Sequence, residues 1–192
     1  MRRIRIGALP IIVIGMTALD ALWAPLVLLI ARALPSVFNQ RTLPAATIDV
    51  AEGVLAIATV VMFMVWIYRA GRTLVIAGFQ DLEFSAASRV WWFLVPFANL
   101  VKPFQGMREL DNASRGYAPY DQSSGLVNVW WGLWLLNGVA SNTLLRIQPS
   151  MTWRVMSAGL GLVLAAVTIG LVIRIAAGQA GIAERSLEQV FA

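Results

Sequence analysis

Charge-free apolar runs alternate with short polar stretches along the 192 residues. The first run covers residues 6–31 and is broken only by Asp20; the second covers 53–68, with Ala51 and Glu52 extending it to the interface. Residues 122–145 hold no charge in 24 positions and residues 155–173 none in 19. A helix that crosses a bilayer needs about 20 predominantly apolar residues. Each run therefore predicts a span, at about 7–32, 51–70, 123–146 and 153–175. A fifth run, 90–101, has only 12 residues between Arg89 and Lys102 and contains Pro96. It is too short for a plain crossing and predicts a re-entrant or interfacial helix.

Charge separates four crossings from five. With Arg2, Arg3 and Arg5 in the cytoplasm and 90–101 not crossing, 11 of the 15 Lys and Arg residues lie inside. Four (Arg32, Arg41, Arg146, Arg154) lie outside. If 90–101 crossed, the division would be eight to seven, which is no bias. The positive-inside tendency thus selects four spans with both termini cytoplasmic. The predicted fold class is an all-α membrane protein, a single integral domain of two transmembrane hairpins. A re-entrant or interfacial helical unit, at about 71–122, sits between spans two and three on the cytoplasmic side. The first run is far longer than the 7–15 residue core of a secretory signal and reads as an uncleaved span.

Composition agrees. Apolar residues make up 59% of the chain and charged residues 13%, against about 45–50% and about 25% in soluble domains. The absence of His and Cys removes disulfides, thiol chemistry, common zinc sites and His-based acid–base chemistry. The basic balance is spread along span flanks, which suits orientation and anionic headgroups rather than nucleic acid. Trp66, Trp91, Trp92 and Trp153 fall at expected interfaces. Trp130, Trp131 and Trp134 suit either a late-starting span or packing on 90–101.

The cytoplasmic middle has its own grammar. The second helix is expected to stop near Gly78, and Pro103 suits the first turn of a new one. From there Phe104, Met107 and Leu110 recur every three residues, opposite Gln105, Arg108, Glu109 and Asn112. This predicts an amphipathic helix on the inner membrane surface, with Asp111 and Arg115 as i,i+4 partners. Between the helices, Pro96 removes a backbone donor, and Asn99 and Gln105 can supply amide donors to the freed carbonyls.

The text Trp92, Phe93, Pro96, Asn99, Leu100, Pro103 and Gln105, with 63–70 before it and 130–136 after it, resembles the bacterial domain-of-unknown-function family 4328. The resemblance covers roughly residues 50–180, and Asp111-Asn112 departs from it where relatives carry an aromatic and a basic residue. It implies a multi-pass membrane protein and no activity; the expected location is the bacterial cytoplasmic (inner) membrane.

Asp20 and Asn137 are the intramembrane polar candidates. Each lies 14–15 residues into its run from the cytoplasmic side, so a hydrogen bond between them across a helix pair is expected. Ser157, Gly161 and Ala165 form a small-residue stripe suited to helix packing. Enzyme motifs, phosphate loops and metal motifs are not found in the text, so no catalytic residue, metal or cofactor is assigned. The carboxylate pairs Asp49/Glu52, Asp81/Glu83 and Glu109/Asp111 read first as solvated helix ends, and otherwise as Mg²⁺ sites.

Two functions lead, with a membrane enzyme third. The first is a non-catalytic membrane interaction or accessory protein, whose partners are membrane lipids and either a membrane protein or a second copy. The second is a small permease or lipid-handling protein, with Asp20 and the 96–103 turn along its path. A water-accessible cavity reaching Asp20 favours the second; a dry bundle favours the first.

Overall fold

The computed structural model describes residues 7–36, 45–79, 81–140 and 150–190, with backbone alone for 45 and 183–190. All regular structure among these residues is helical. Three helices are long: α1 (Ala8–Ala33), α2 (Ala45–Ile76) and, last in the chain, α6 (Met151–Val190). At 1.5 Å per residue they extend about 39, 48 and 60 Å. Within them Ala8–Ala33, Ala46–Ile76 and Met151–Ile182 have the length and composition to cross a membrane. Between α2 and α6 lie α3 (Ser88–Trp91), a 3-10 turn (Ala98–Leu100), α4 (Lys102–Arg115) and α5 (Gly125–Val139).

Local chemistry sets these limits. α2 stops where Gly78 turns left-handed at φ 86°. Its N–H donates to the carbonyl of Val75, and Phe79 N–H donates back to that of Leu74, a Schellman closure. Gly116, at φ 75°, closes α4 in the same way through Ala113 and Asn112. Pro103 occupies the first turn of α4, where its missing donor costs nothing.

One expectation about length changes. Residues 92–101 are turns and one 3-10 turn, not a continuous helix. α5 is described over 15 residues, about 22 Å. The rest of the expected third span, 141–146, lies outside the described residues.

α1 packs along α2 and α6, α5 packs along α6, and α4 lies across one end of the bundle against α6, α5 and α2. The core gathers at that end. It joins Trp66, Ile67 and Leu74 of α2, Met107 and Leu110 of α4, Val127 and Trp130 of α5, and Leu171 and Ile175 of α6. Trp66 is thus a core residue with its ring tilted against Phe63, 5.5 Å between centroids, and not an interface anchor. α4 and α6 approach closely at Gly178 of α6, where a Cβ would overlap the carbonyl oxygen of Ser114.

α4 is not the surface helix its pattern predicts. Glu109, Asp111, Asn112 and Ser114 are buried along with Met107 and Leu110. The polar side of α4 meets charged partners from other elements, so it is covered by protein instead of water.

Candidate functional site

Away from α4 the helices part around a cavity of about 690 Å³. All four of α1, α2, α5 and α6 wall it. α1 contributes Thr17 and Asp20, and α2 contributes Asp49, Glu52 and Thr59. α5 adds Asn137, and α6 adds Arg154, Ser157 and Thr168. Phe63, Trp130 and Trp134 line it on the side of the packed core. α2 and α5 make hardly any backbone contact; the space between them is bridged by Phe63 and Trp130, whose rings are 6.0 Å apart.

The sequence-derived polar candidates therefore converge. Asp20 and Asn137 share this wall, yet no hydrogen bond joins them among the described residues. Ser157, Gly161 and Ala165 line the cavity too, and a Cβ at Gly161 would meet nothing within 4 Å. Asp49 and Glu52, read in the sequence as a solvated pair, stand on the same wall. Glu52 lies close enough to Asp49, Asp20 and Arg154 to feel their charges. No ion pair ties Arg154 to any of the three carboxylates among the described residues. Nor does any group of three or more acidic side chains there come close enough to hold a metal ion.

The wall has two threonines in different states. Thr168 donates from Oγ1 to the carbonyl of Leu164 at 2.7 Å, the usual way a helical threonine satisfies itself. Thr59 is only 9% exposed and its Oγ1 has no partner.

A second polar cluster sits in the packed end, and the sequence pattern missed it. Arg174 of α6 donates from Nε to Oδ1 of Asp111 at 2.8 Å, and from Nη2 to Ser124 Oγ at 2.8 Å. Ser124 donates to Asp111 Oδ2 at 2.8 Å, and Arg115 reaches the same oxygen at 3.1 Å, the expected i,i+4 pair. Glu109 pairs with Arg89 and accepts the backbone N–H groups of Glu83 at 2.6 Å and Phe84 at 3.2 Å. Arg89 is 1% exposed. Burial pulls its guanidinium below the usual arginine range, while the charge and hydrogen bond of Glu109 oppose that pull. Its Nη1 has no partner, and Gly71 leaves room for it: a Cβ there would come within 2.8 Å. Glu109 and Asp111 are therefore neither solvated ends nor open metal sites. Each has its oxygens filled by donors from two or more elements, a covering that spacing along one helix cannot reveal.

The proline-rich text docks onto α5. Trp131 donates from Nε1 to the carbonyl of Leu100 at 3.1 Å. Phe93 meets Trp134 edge-on at 6.3 Å, and Trp134 stacks on Trp131 at 4.7 Å. The donor to the turn is thus an indole. Asn99 and Gln105 do not serve it; the Gln105 Oε1 is buried without a partner. Trp92 is half-buried, Pro96 exposed and Pro103 buried in α4. None of the seven motif residues lines the cavity.

The family model described as Domain of unknown function (DUF4328) matches residues 16–183. The chain belongs to that family. No curated protein and no solved structure matches the chain. The DUF4328 match takes in the cavity wall from Thr17 to Thr168 and the whole Asp111 cluster. The description of this family names no activity, so function has to be argued from the walls of the cavity.

Proposed function

We propose that the chain is an integral membrane protein that takes a small polar or amphiphilic ligand into the interhelical cavity, as a small permease or lipid-handling protein does. It crosses the cytoplasmic membrane of a bacterium in two hairpins, with both termini inside and α4 at the cytoplasmic end. The observation that carries this reading is the cavity between α1, α2, α5 and α6, with Asp20 on its wall. Carboxylates at membrane depth are costly and are kept where they line a pathway or a site. A volume of about 690 Å³ falls in the range of ligand pockets, about 300–1,000 Å³.

The accessory reading would use an amphipathic helix on the inner surface, the small-residue stripe and the basic flank, and the first two do not serve it. The polar face of α4 is turned into the protein, and the Ser157–Gly161–Ala165 stripe faces the cavity. The basic flank remains, and it serves orientation equally well. The 96–103 turn drops out of the path, since its residues are on another part of the fold.

The natural lack of cysteine makes a direct test simple. Ser157→Cys places a lone thiol on the cavity wall, and Val163→Cys places one on the exposed outer face of the same helix. In membrane vesicles a small neutral methanethiosulfonate should modify residue 157 and leave residue 163, in lipid, largely unmodified. Equal reactivity at both, or an inert residue 157, overturns the reading.

A further inference from the structure

We infer that residues 90–101 dip into the bilayer as a re-entrant wedge, and that the partner of its exposed apolar side chains is the acyl layer of the leaflet on the α4 side. This rests on the chain being an integral membrane protein and makes no use of the cavity.

The wedge starts and ends at one polar anchor. Arg89 at its start pairs with Glu109, and Lys102 at its end pairs with Glu83 at 3.4 Å. Glu109 in turn accepts the backbone N–H groups of Glu83 and Phe84. Between those ends the chain carries no charge, and it runs beside α5. The Leu100 carbonyl takes the Trp131 indole N–H, and Phe93 meets Trp134. At 1.5 Å per residue these tryptophans stand about 10 and 15 Å along α5 from Ser124.

A second ruler agrees with the first. Phe63 lies about 9 Å along α2 from the exposed Arg69, and its ring reaches Trp130. An exposed arginine on a spanning helix stays at headgroup level. Trp130 to Trp134 therefore lie about 9–15 Å inside a hydrocarbon layer of ~30 Å, and the wedge docks at that depth.

Two features suit lipid rather than water around it. Trp91, Leu94, Val95, Phe97, Leu100 and Val101 are all exposed, an apolar run that a surface facing water rarely carries. The backbone is also fitted to a dry setting. Nine of the eleven N–H groups in 90–101 donate to carbonyls of residues 87–98, although most of the segment is turns. Irregular backbone is tolerated at membrane depth where protein satisfies its polar groups.

The test is nitroxide accessibility by electron paramagnetic resonance, on the full chain in phospholipid vesicles. The chain has no native cysteine, so Leu94→Cys, Phe97→Cys, Tyr117→Cys and Val163→Cys each carry a single label, all at exposed positions. Oxygen concentrates in the acyl layer and a neutral nickel chelate in water. The oxygen-to-nickel collision ratio at 94 and 97 should match that at 163 and exceed that at 117 severalfold. A ratio at 94 and 97 equal to that at 117 overturns the wedge, which is then an aqueous loop. Low collision with both reagents also overturns it, because a second protein surface then covers these residues. If residue 163 gives the aqueous ratio as well, the membrane reading falls with the wedge; if 163 stays in lipid, the wedge falls alone.

Discussion

Asp111 and Arg174 are 63 residues apart in sequence and form a two-pronged ion pair, with Nε to Oδ1 at 2.8 Å and Nη2 to Oδ2. The carboxylate is wholly buried. Arg174 lies about 35 Å along α6 from Met151, beyond the thickness of a ~30 Å hydrocarbon layer. The pair therefore closes the bundle at its packed end, joining α4 to α6, and Ser124 brings in the start of α5.

Asp111→Ala should destabilise the protein by about 1–3 kcal/mol, because Arg174, Arg115 and Ser124 lose the buried acceptor they share. Thermal unfolding in detergent reads the change. Replacing Asp111 and Arg174 together by Met should restore part of the loss, since Arg174 then leaves no stranded charge and only Arg115 has lost its carboxylate.

Two glycines of α6 should respond in opposite senses. Gly178→Ala drives a methyl into the Ser114 carbonyl, 2.8 Å from its carbon, and should cost about 2–3 kcal/mol by forcing α4 off α6. Gly161→Ala meets open space and should be neutral, or stabilising by up to about 1 kcal/mol from helix propensity. Melting temperatures of the two variants side by side decide the matter.

Trp131→Phe keeps the stack on Trp134 and deletes the donor to Leu100. The cost should be about 1–2 kcal/mol, concentrated in the turn. Hydrogen exchange at residues 97–101 should accelerate, while exchange in α2 stays as it was.

Phe97 is the tip of that turn, 87% exposed and at φ 62°. A non-glycine residue there is strained by about 1–2 kcal/mol, and Leu94 beside it is also exposed. An apolar tip in that state suits insertion among lipids. Phe97→Gly should therefore raise stability in detergent. A polarity-sensitive fluorophore on Phe97→Cys should shift to the blue when the protein enters vesicles; emission as in water contradicts insertion.

Topology has its own check. An impermeant maleimide added to intact cells should label Arg154→Cys and spare Tyr117→Cys, both exposed in the fold. Labelling at residue 117 from outside would reverse the proposed orientation.

Much of this was legible in the text. Helices with the length and composition to cross emerged from the runs at 7–32, 51–70 and 153–175, because burial in lipid demands unbroken apolar length and little else. Gly78 and Pro103 marked real boundaries, since a left-handed cap and a missing N–H act locally. The turn motif was visible too, but its partner was not: Trp131 is 31 residues from Leu100, and nothing local couples them. α4 misled for the same reason. Periodicity gives the polar face of a helix, whereas the partners that cover it come from Arg89 and Arg174, far along the chain.

The amino-acid text alone determined which stretches are helical and apolar enough for a membrane, because hydropathy and backbone caps are properties of consecutive residues. Tertiary structure alone decided that Asp20, Glu52, Asn137 and Ser157 surround one space while Asp111 and Glu109 are sealed. Whether a polar side chain faces a void or a partner is fixed by how separate helices pack, and packing geometry is set by contacts between residues that the linear order keeps apart.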